Sequence, residues 1–482
     1  MTFRWKLYEG GKTPPPGAVV NTDERLSWPR MAGLGAQHVV AMFGATFVFP
    51  VIMGLNPQLA VLMSGVATIL FLLIVNNKVP SYLGTSAAFV GAVAAIRAQG
   101  GDSQQVTGAI LVAGVMLIAI GVIVHFAGGT VINKVLPPAV TGAVVMLIGF
   151  NLAPVVANNY WPVDQWIALL TMAFVIVCSV VVRGFLSRIA VLLGLVFGTF
   201  FSWIFDLVFG PLSTDKGSVD RINFSSVGDS SWIGLPHSIT QADGTVLAGA
   251  HLPSFSMTFI LLVIPGVVAL VAENAGHVKA VEEMTRKDLN AYMGRAFIGD
   301  GVGTTIASLV GGSPTTTYAE NIGVMAATRV YSTAAYYIAA LVAIVFGFCP
   351  KFGALVSSVP SGVLGGITVV LYGMIGLLGA KIWVDNGVNF GNPLNLVPLA
   401  AGLIIGIGNV GLVFSDNFSI TGIALGTIVV VVGYHLVRFF APPHLRDEVG
   451  PMASVRPENS SVGLPSTPGH GDGLPPVTSP QV

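Results

Sequence analysis

The chain is interrupted at two places by short polar stretches, Gly311-Gly-Ser-Pro-Thr-Thr-Thr-Tyr318 and Pro80-Ser-Tyr-Leu-Gly-Thr-Ser86, and these stretches decide how it folds. Each carries a proline and hydroxyl residues, and each stands at the start of an unusually short apolar segment. Because proline removes a backbone donor and breaks helices, both stretches predict an interruption of the helical backbone. Backbone of this kind is tolerated at membrane depth only where it is buried in protein or lines a cavity.

The composition around these stretches is that of a membrane protein. Of 482 residues, 53% are hydrophobic and 9% are charged, whereas a soluble domain carries about 25% charged residues. The 22 Lys and Arg residues balance 22 Asp and Glu residues, which excludes a basic nucleic-acid-binding surface. Two separated cysteines and eight scattered histidines form no metal-binding pattern, so the sequence predicts neither a metal nor a cofactor.

Fourteen apolar segments are near the length that a bilayer requires. They span residues 34–54, 57–76, 82–98, 106–127, 134–153, 165–182, 189–209, 256–276, 291–311, 319–328, 334–349, 360–380, 394–412 and 419–439. The sequence thus predicts an all-α polytopic membrane protein in which the third and tenth segments are short.

The basic residues of the loops predict the orientation. With the N-terminus inside, eighteen Lys and Arg residues fall on the cytoplasmic side and four fall outside, a strong positive-inside bias. We therefore expect a protein of the plasma (inner) membrane with both termini cytoplasmic. The predicted organisation is a cytoplasmic tail (1–30), a first seven-span unit (31–209), an extracellular loop (210–255), a second seven-span unit (256–440) and a disordered cytoplasmic tail (441–482).

The two halves resemble each other in layout. The short segments three and ten lie seven apart, and so do segments one and eight, which carry Gln37-His38 and Glu273-Asn274 inside apolar runs. An odd number of spans in each half inverts one half relative to the other. Interrupted segments at matching positions of two inverted repeats are the best sequence indication of a transporter's binding site.

Ionisable residues inside membrane spans are costly and mark function by default. The candidates for such a role are His38, Glu273, His277, Asp300 and Glu320. Glu273 and His277 are four residues apart, on one helix face. Glu320 follows the second polar stretch, where a helix N-terminus leaves backbone N–H groups free. These groups can hold a polar, uncharged ring, and one carboxylate can take up a proton, because burial and a like-charged neighbour favour the neutral acid.

Two of these residues also have a purely structural interpretation. Asp300 lies in the run Gly-Asp-Gly-Val-Gly-Thr-Thr, and we interpret it mainly as a residue that ties helix backbones together. His38 is either a buried core histidine or a member of the site, and its place in the matching polar cluster of segment one favours the site.

The run Glu320-Asn321-Ile-Gly-Val-Met-Ala-Ala-Thr-Arg329 resembles the signature of the nucleobase/ascorbate transporter family. That signature is Gln, Glu or Pro, then Asn-x-Gly-x4-Thr, then a basic residue or Gly. Both polar stretches, Gln37-His38 through Thr46 and the Glu273-x3-His277 pair agree with the same family. The resemblance covers about residues 25–440.

The resemblance implies two inverted seven-span repeats. Spans one to four and eight to eleven would form a core domain, and spans five to seven and twelve to fourteen a gate domain. The extended stretches before spans three and ten would pair at the substrate site. Family members are commonly dimers, so a homodimer is expected.

The acidic first signature residue is similar to that of bacterial uracil:proton symporters. On that analogy, Glu273 and Glu320 would hydrogen-bond uracil, and backbone N–H groups near Ala87 and Ala319 would meet its oxygens. The analogy also gives roles to the other residues. Tyr318 would pack near the substrate, and His277 would be the partner of Glu273 in proton coupling. The residues that support the site would be Gln37, His38, Asn321, Asp300 and Thr317. Ala87 replaces an aromatic residue and Ala319 a glycine of the uracil carriers, which leaves the preferred base open.

The leading hypothesis is a proton-coupled uracil importer that works by alternating access. A xanthine or other purine symporter is the nearest alternative, and an anion carrier of sulfate or bicarbonate with the same layout is a second. Two carboxylates argue against an anion site, which favours free helix N-termini. Sodium coupling stays open. The sequence has no His-Glu-x-x-His and no Gly-x-Ser-x-Gly motif, so we expect no enzyme.

Overall fold

The computed structural model describes residues 4–15, 18–214, 217–240, 246–415 and 418–447. Most of the predicted C-terminal tail, from residue 448 onwards, lies outside the described residues, and so does the loop residue Lys216.

The described chain is mainly helical. Its helices are α1 (Trp28–Ile52), α2 (Pro57–Ile74), α3 (Val90–Ala98), α4 (Ser103–Ala127), α5 (Thr130–Val135), α6 (Pro138–Asn151), α7 (Ala153–Val155), α8 (Gln165–Val180), α9 (Phe185–Arg188), α10 (Ala190–Phe209), α11 (Ser225–Asp229), α12 (Met257–Thr285), α13 (Asn290–Leu309), α14 (Ala319–Thr328), α15 (Thr333–Gly347), α16 (Pro350–Ser357), α17 (Ser361–Asp385), α18 (Pro393–Ile407), α19 (Gly422–Phe440) and α20 (Pro443–Asp447). Short strands pair as β1 (Lys6–Leu7) with β2 (Glu24–Arg25), β3 (Leu83–Thr85) with β8 (Thr315–Thr317), β4 (Leu212–Thr214) with β5 (Gly217–Val219), β6 (Ile239–Thr240) with β7 (Val246–Leu247), and β9 (Gly411–Ser415) with β10 (Phe418–Thr421).

Within the described ranges, eight helices are long and apolar enough to cross a membrane. They are Trp28–Ile52, Pro57–Ile74, Ser103–Ala127, Pro138–Val163, Ala190–Phe209, Met257–Thr285, Ser361–Asp385 and Gly422–Phe440. The pair α15 and α16, bent by 85°, becomes a ninth if it counts as one span. The stretches 87–98, 165–180 and 393–407 form shorter apolar helices.

Each of the fourteen predicted apolar segments contains a helix, but the ends differ. The largest difference is at α12, which continues to Thr285 rather than ending near residue 276. The extra turns contain Lys279, Glu282 and Glu283, and an apolar pattern cannot detect a helix that continues into polar residues.

The helices pack in two groups. In the first, α13 packs on α4 and α2, and α15 packs on α1 and α2. In the second, α17 packs on α6 and α8, and α18 packs on α19. α12 packs mainly on α4 and so belongs to the first group, and its smaller contacts with α6 and α19 join the two groups. The strand pair β3–β8 lies within the first group.

Candidate functional site

The two polar stretches meet as an antiparallel strand pair, which confirms the predicted pairing. Leu83 lies opposite Thr317, Gly84 opposite Thr316 and Thr85 opposite Thr315. All six residues are buried. The backbone N–H of Ser86 donates to the carbonyl of Pro314 (2.9 Å), and that of Tyr318 donates to the carbonyl of Tyr82 (3.0 Å), so the ladder continues beyond both ends of the strands.

Each strand leads directly into a helix. After β3, Ser86 caps a 3-10 turn at Ala87–Phe89 that continues as α3. After β8, α14 begins at Ala319. Because the strands are antiparallel, the two helices run away from the pair in opposite directions, and both N-termini are directed at it. The first N–H groups of a helix have no partner within the helix and attract negatively charged or acceptor atoms.

Tyr318 and Thr46 pack closely against the backbone of Gly84 in the strand pair. A Cβ atom on Gly84 would lie 2.6 Å from Thr46 Oγ1 and closer still to the ring of Tyr318. The Tyr318 hydroxyl donates to the carbonyl of Thr85 (2.9 Å) and accepts from Thr46 Oγ1 (3.1 Å). Tyr318 is 4% exposed, so its polar contacts in the structure stabilise the backbone.

Thr317 links the strand pair to the predicted acid–histidine helix. Its hydroxyl donates to Asn274 Oδ1 (3.0 Å), and its oxygen lies 2.7 Å from His277 Nδ1, which is therefore the protonated nitrogen. His277 thus has Thr317 as a hydrogen-bond partner, whereas the sequence analogy made it the partner of Glu273.

Asp300 belongs to the same buried network. It is fully buried on α13, it accepts a hydrogen bond from Asn274 Nδ2, and Thr315 Oγ1 lies 3.4 Å from its Oδ1. Asp300 therefore connects α12, α13 and β8 through side chains, and its role as a residue that ties helix backbones together stays a prediction. Asn274 joins Asp300 to Thr317 and was not predicted as a site residue; its place beside Glu273 was the available signal.

Of the carboxyl groups near the strand pair, Glu320 is exposed and Glu273 is partly exposed, whereas Asp300 is fully buried. Glu273 is close enough to Asp300 and Glu320 to interact electrostatically. Ala319 and Glu320 are exposed, while the strand before them is buried. Glu320 therefore lies where the buried strand pair adjoins accessible surface. Ala87, at the other helix N-terminus, is partly exposed.

Gln37 and His38, the polar cluster of α1, lie in two different environments. His38 is 1% exposed; its carbonyl accepts from Asn321 Nδ2 (2.9 Å), and its ring lies against Tyr336 with centroids 4.3 Å apart. His38 and Asn321 thus fix α14 to α1. Gln37 instead lines a surface cavity of about 380 Å³ with Arg30 and Thr328, away from the carboxyl groups.

The exposed residues of α12 and α14 are unevenly distributed along these helices. On α14, Glu320, Ala326 and Ala327 are exposed, and on α12 the exposed residues after Glu273 include Gly276, Lys279 and Glu283. Before Glu273, no residue from 258 to 272 is exposed, and none is exposed from 87 to 96. The exposed surface of α12 therefore lies towards its C-terminal end, and that of α14 reaches its C-terminal end, where the N-terminal segment also lies.

Interrupted helices that meet around ionisable residues are the architecture of secondary transporters. The sequence matches the permease family over residues 30–413, and the chain belongs to that family. It is a transporter rather than an enzyme, and a multi-pass membrane protein. In the described ranges, no group of three or more His, Cys, Asp or Glu residues could hold a metal ion.

Curated relatives cover most of the chain. The Escherichia coli (strain K12) permease RutG, to which a pyrimidine cargo is assigned, is 41% identical over 432 residues, which are 88% of this chain and 92% of that one. The uracil permease of Bacillus caldolyticus is 37% identical over 86% of this chain and 93% of its own length. The uracil permease of Bacillus subtilis (strain 168) is 34% identical over 84% and 92%.

Solved structures share the fold at low sequence identity. The transmembrane domain of the cyanobacterial bicarbonate transporter BicA has a TM-score of 0.53 at 15% identity, covering 84% of this chain and 96% of that one. The murine anion transporter Slc26a9, in its inward-facing state, has a TM-score of 0.60 at 11% identity, covering 86% and 68%.

Proposed function

We propose that this permease imports uracil together with protons by alternating access. The observation that carries the proposal is the pair of interacting carboxyl groups, Glu273 and Glu320, at accessible surface beside the N-terminus of α14. A carboxylate accepts the ring N–H groups of uracil, a protonated carboxyl donates to a carbonyl oxygen, and the free N–H groups at Ala87 and Ala319 meet the remaining oxygen. The uracil permeases among the relatives support this cargo.

The same two carboxyl groups would carry the coupled protons. A neutral acid is far cheaper to hold inside a membrane than a charged one. Proton uptake from the outer side therefore prepares the site for uracil, and release of the proton inside weakens binding. His277, held by Thr317 at 2.7 Å, would set the orientation of the α12 face that carries Glu273.

The one-sided exposure supports alternating access. We infer that the side reached by the C-terminal ends of α12 and α14 is the cytoplasm, because the positive-inside bias places the N-terminus there. The chain would then be in an inward-open state. The first helix group would be the core domain and the second the gate domain, which rotate against each other around the site.

The finer topology belongs to the same proposal. It comprises fourteen spans in two inverted repeats at 31–209 and 256–440, an extracellular loop at 210–255, cytoplasmic segments at 1–30 and 441–482, and a homodimer. Support comes from helices in all fourteen predicted segments and from the pairing of two matching strands.

The fold alone does not choose the cargo, since BicA and Slc26a9 share it. Two carboxyl groups at the proposed site disfavour an anion, whose binding favours helix N-termini without competing negative charge. A purine such as xanthine carries the same N–H and carbonyl edge as uracil, and only the room around Ala87 and Ala319 would separate the two.

Uptake of labelled uracil into uracil-uptake-deficient cells tests the proposal. We expect accumulation that an uncoupler abolishes, and a loss of at least about 100-fold in Glu320→Gln, because the amide cannot exchange a proton. Glu283→Gln, exposed at the end of α12, is the matched control and should transport normally. Uncoupler-resistant accumulation, or a fully active Glu320→Gln, would exclude proton coupling at this residue.

Competition between labelled uracil and unlabelled compounds identifies the cargo. A hundredfold excess of unlabelled uracil should abolish uptake, while xanthine, urate, sulfate and bicarbonate should leave most of it. Strong competition by xanthine would move the proposal to purines. Dependence on sodium instead of pH would replace the proton as the coupling ion.

A further inference from the structure

The N-terminal segment, predicted as a tail, is folded across the far end of the helix that carries Glu320. We call residues 5–15 and 18–26 the strap. The backbone N–H of Val20 donates to the carbonyl of Arg329 (2.9 Å), and the N–H of Tyr331 donates to the carbonyl of Val20 (2.8 Å). Val20 is completely buried. The strap thus pairs with the chain between α14 and α15.

A second set of contacts converges on Thr333, the first residue of α15. Its backbone N–H and its hydroxyl both donate to the carbonyl of Thr22, at 3.2 and 3.1 Å. Its hydroxyl oxygen accepts from Trp5 Nε1 at 2.9 Å. Thr22 and Thr333 are 2% and 0% exposed. Water cannot easily replace hydrogen bonds at this depth, so losing them leaves buried groups unpaired.

A separate apolar cluster holds the strap in place. Val20, Leu26 and Met31 pack with Val330, Ala334 and Ala335, and this cluster is distinct from the main core. The strap therefore has its own buried anchor, which joins the start of α1 to the α14–α15 connection.

The short helix under the strap depends on its neighbours for its position. α14 has ten residues, and isolated helices shorter than about 12–15 residues are marginal. It ends at Arg329, whose φ of 57° lies in the left-handed region that non-glycine residues rarely adopt. The carbonyl of Arg329 is the one that accepts from Val20, so the strap supports the strained residue directly.

The opposite end of α14 is fixed to the same helix, α1, through Asn321 and His38 (2.9 Å). We propose that Trp5, Val20 and Thr22 are positioning residues of the transport site: the strap holds α14, and with it Glu320, in the orientation that binds the substrate. This inference rests on the proposed function for its substrate, but not for its structural part. The strap makes α1, α14 and α15 one rigid unit of the core.

The test is the pair Thr333→Val and Thr333→Ser in the full-length purified protein. Valine keeps the shape and the backbone N–H but removes both side-chain hydrogen bonds, whereas serine keeps them. Asn21→Ala is the matched control, because the Asn21 side chain bonds to Glu24 within the strap. The readouts are amide hydrogen exchange of residues 319–328, thermal unfolding, and the KM and maximal rate of uracil uptake.

We expect Thr333→Val to speed exchange in α14 about tenfold and to raise the uracil KM about fivefold, with the maximal rate nearly unchanged and the unfolding temperature lower by no more than about 4 °C. Thr333→Ser and Asn21→Ala should match the unaltered protein. Unchanged exchange in α14, or equal effects of valine and serine, would overturn the inference. Faster exchange in a protein that neither binds nor transports uracil would uphold the strap and contradict the proposed function instead.

Discussion

The two paired stretches have the same geometry and different chemistry. Each is a three-residue strand that leads into a short helix. Three residues after its strand, the first has Ala88 and the second has Glu320. The first supplies the small Gly84, against which Tyr318 packs. The second supplies the side chains that reach Asp300, Asn274 and His277.

This difference shows how a repeated layout can build an asymmetric site. Antiparallel pairing needs matching backbone from both halves, and β3 and β8 provide it. Recognition needs polar groups on one side and room for them on the other. The stretch at 83–85 therefore acts as the support, and the stretch at 315–317 carries the polar connections. Substitutions at matching positions should have unequal effects.

The largest effect should come from Gly84→Ala. The added methyl would lie 2.6 Å from Thr46 Oγ1 and would overlap the Tyr318 ring, and overpacking of a buried site costs about 1–3 kcal/mol or more. We expect almost no uracil uptake and a lower thermal unfolding temperature in detergent. Gly91→Ala, in the helix α3 that follows the strand, is the control, because its methyl would meet only the ends of side chains, at 3.3 Å from Asn151 Oδ1 and 3.7 Å from Ile423 and Leu152. Equal activity of the two variants would refute the support role of Gly84.

The matched threonines give the second prediction. Thr317→Val leaves the ring N–H of His277 and the Asn274 carbonyl oxygen without this partner, at about 1–3 kcal/mol for each buried group. Thr85→Val removes a bond to Ser313 Oγ (2.8 Å), a hydroxyl that can rotate to another acceptor. We expect uracil uptake to fall about tenfold in the first and less than about threefold in the second. A larger loss in Thr85→Val would reverse the comparison.

Much of this asymmetric site could be predicted from the sequence because its signals are local. Proline and hydroxyl residues mark both stretches, and Glu273 and His277 are one helical turn apart. The link from Thr317 to His277 joins residues forty positions apart, and no local pattern shows it. The same holds for the strap, where Val20 is buried against Val330 although its own surroundings are polar and rich in proline.

The smallest effect should come from Tyr318→Phe. This substitution tests whether Tyr318 supports the strand pair or binds the substrate. Phenylalanine keeps the ring under Gly84 but loses the hydrogen bonds to the Thr85 carbonyl and to Thr46 (2.9 and 3.1 Å). Because both bonds join protein groups, we expect a stability loss of about 1–2 kcal/mol and a uracil KM within about twofold of the original. Thermal unfolding and uptake kinetics measure the two effects separately. A strongly raised KM at unchanged stability would instead place the tyrosine hydroxyl in contact with the substrate. The second stretch would then bind the base directly, in addition to carrying the polar connections to α12 and α13.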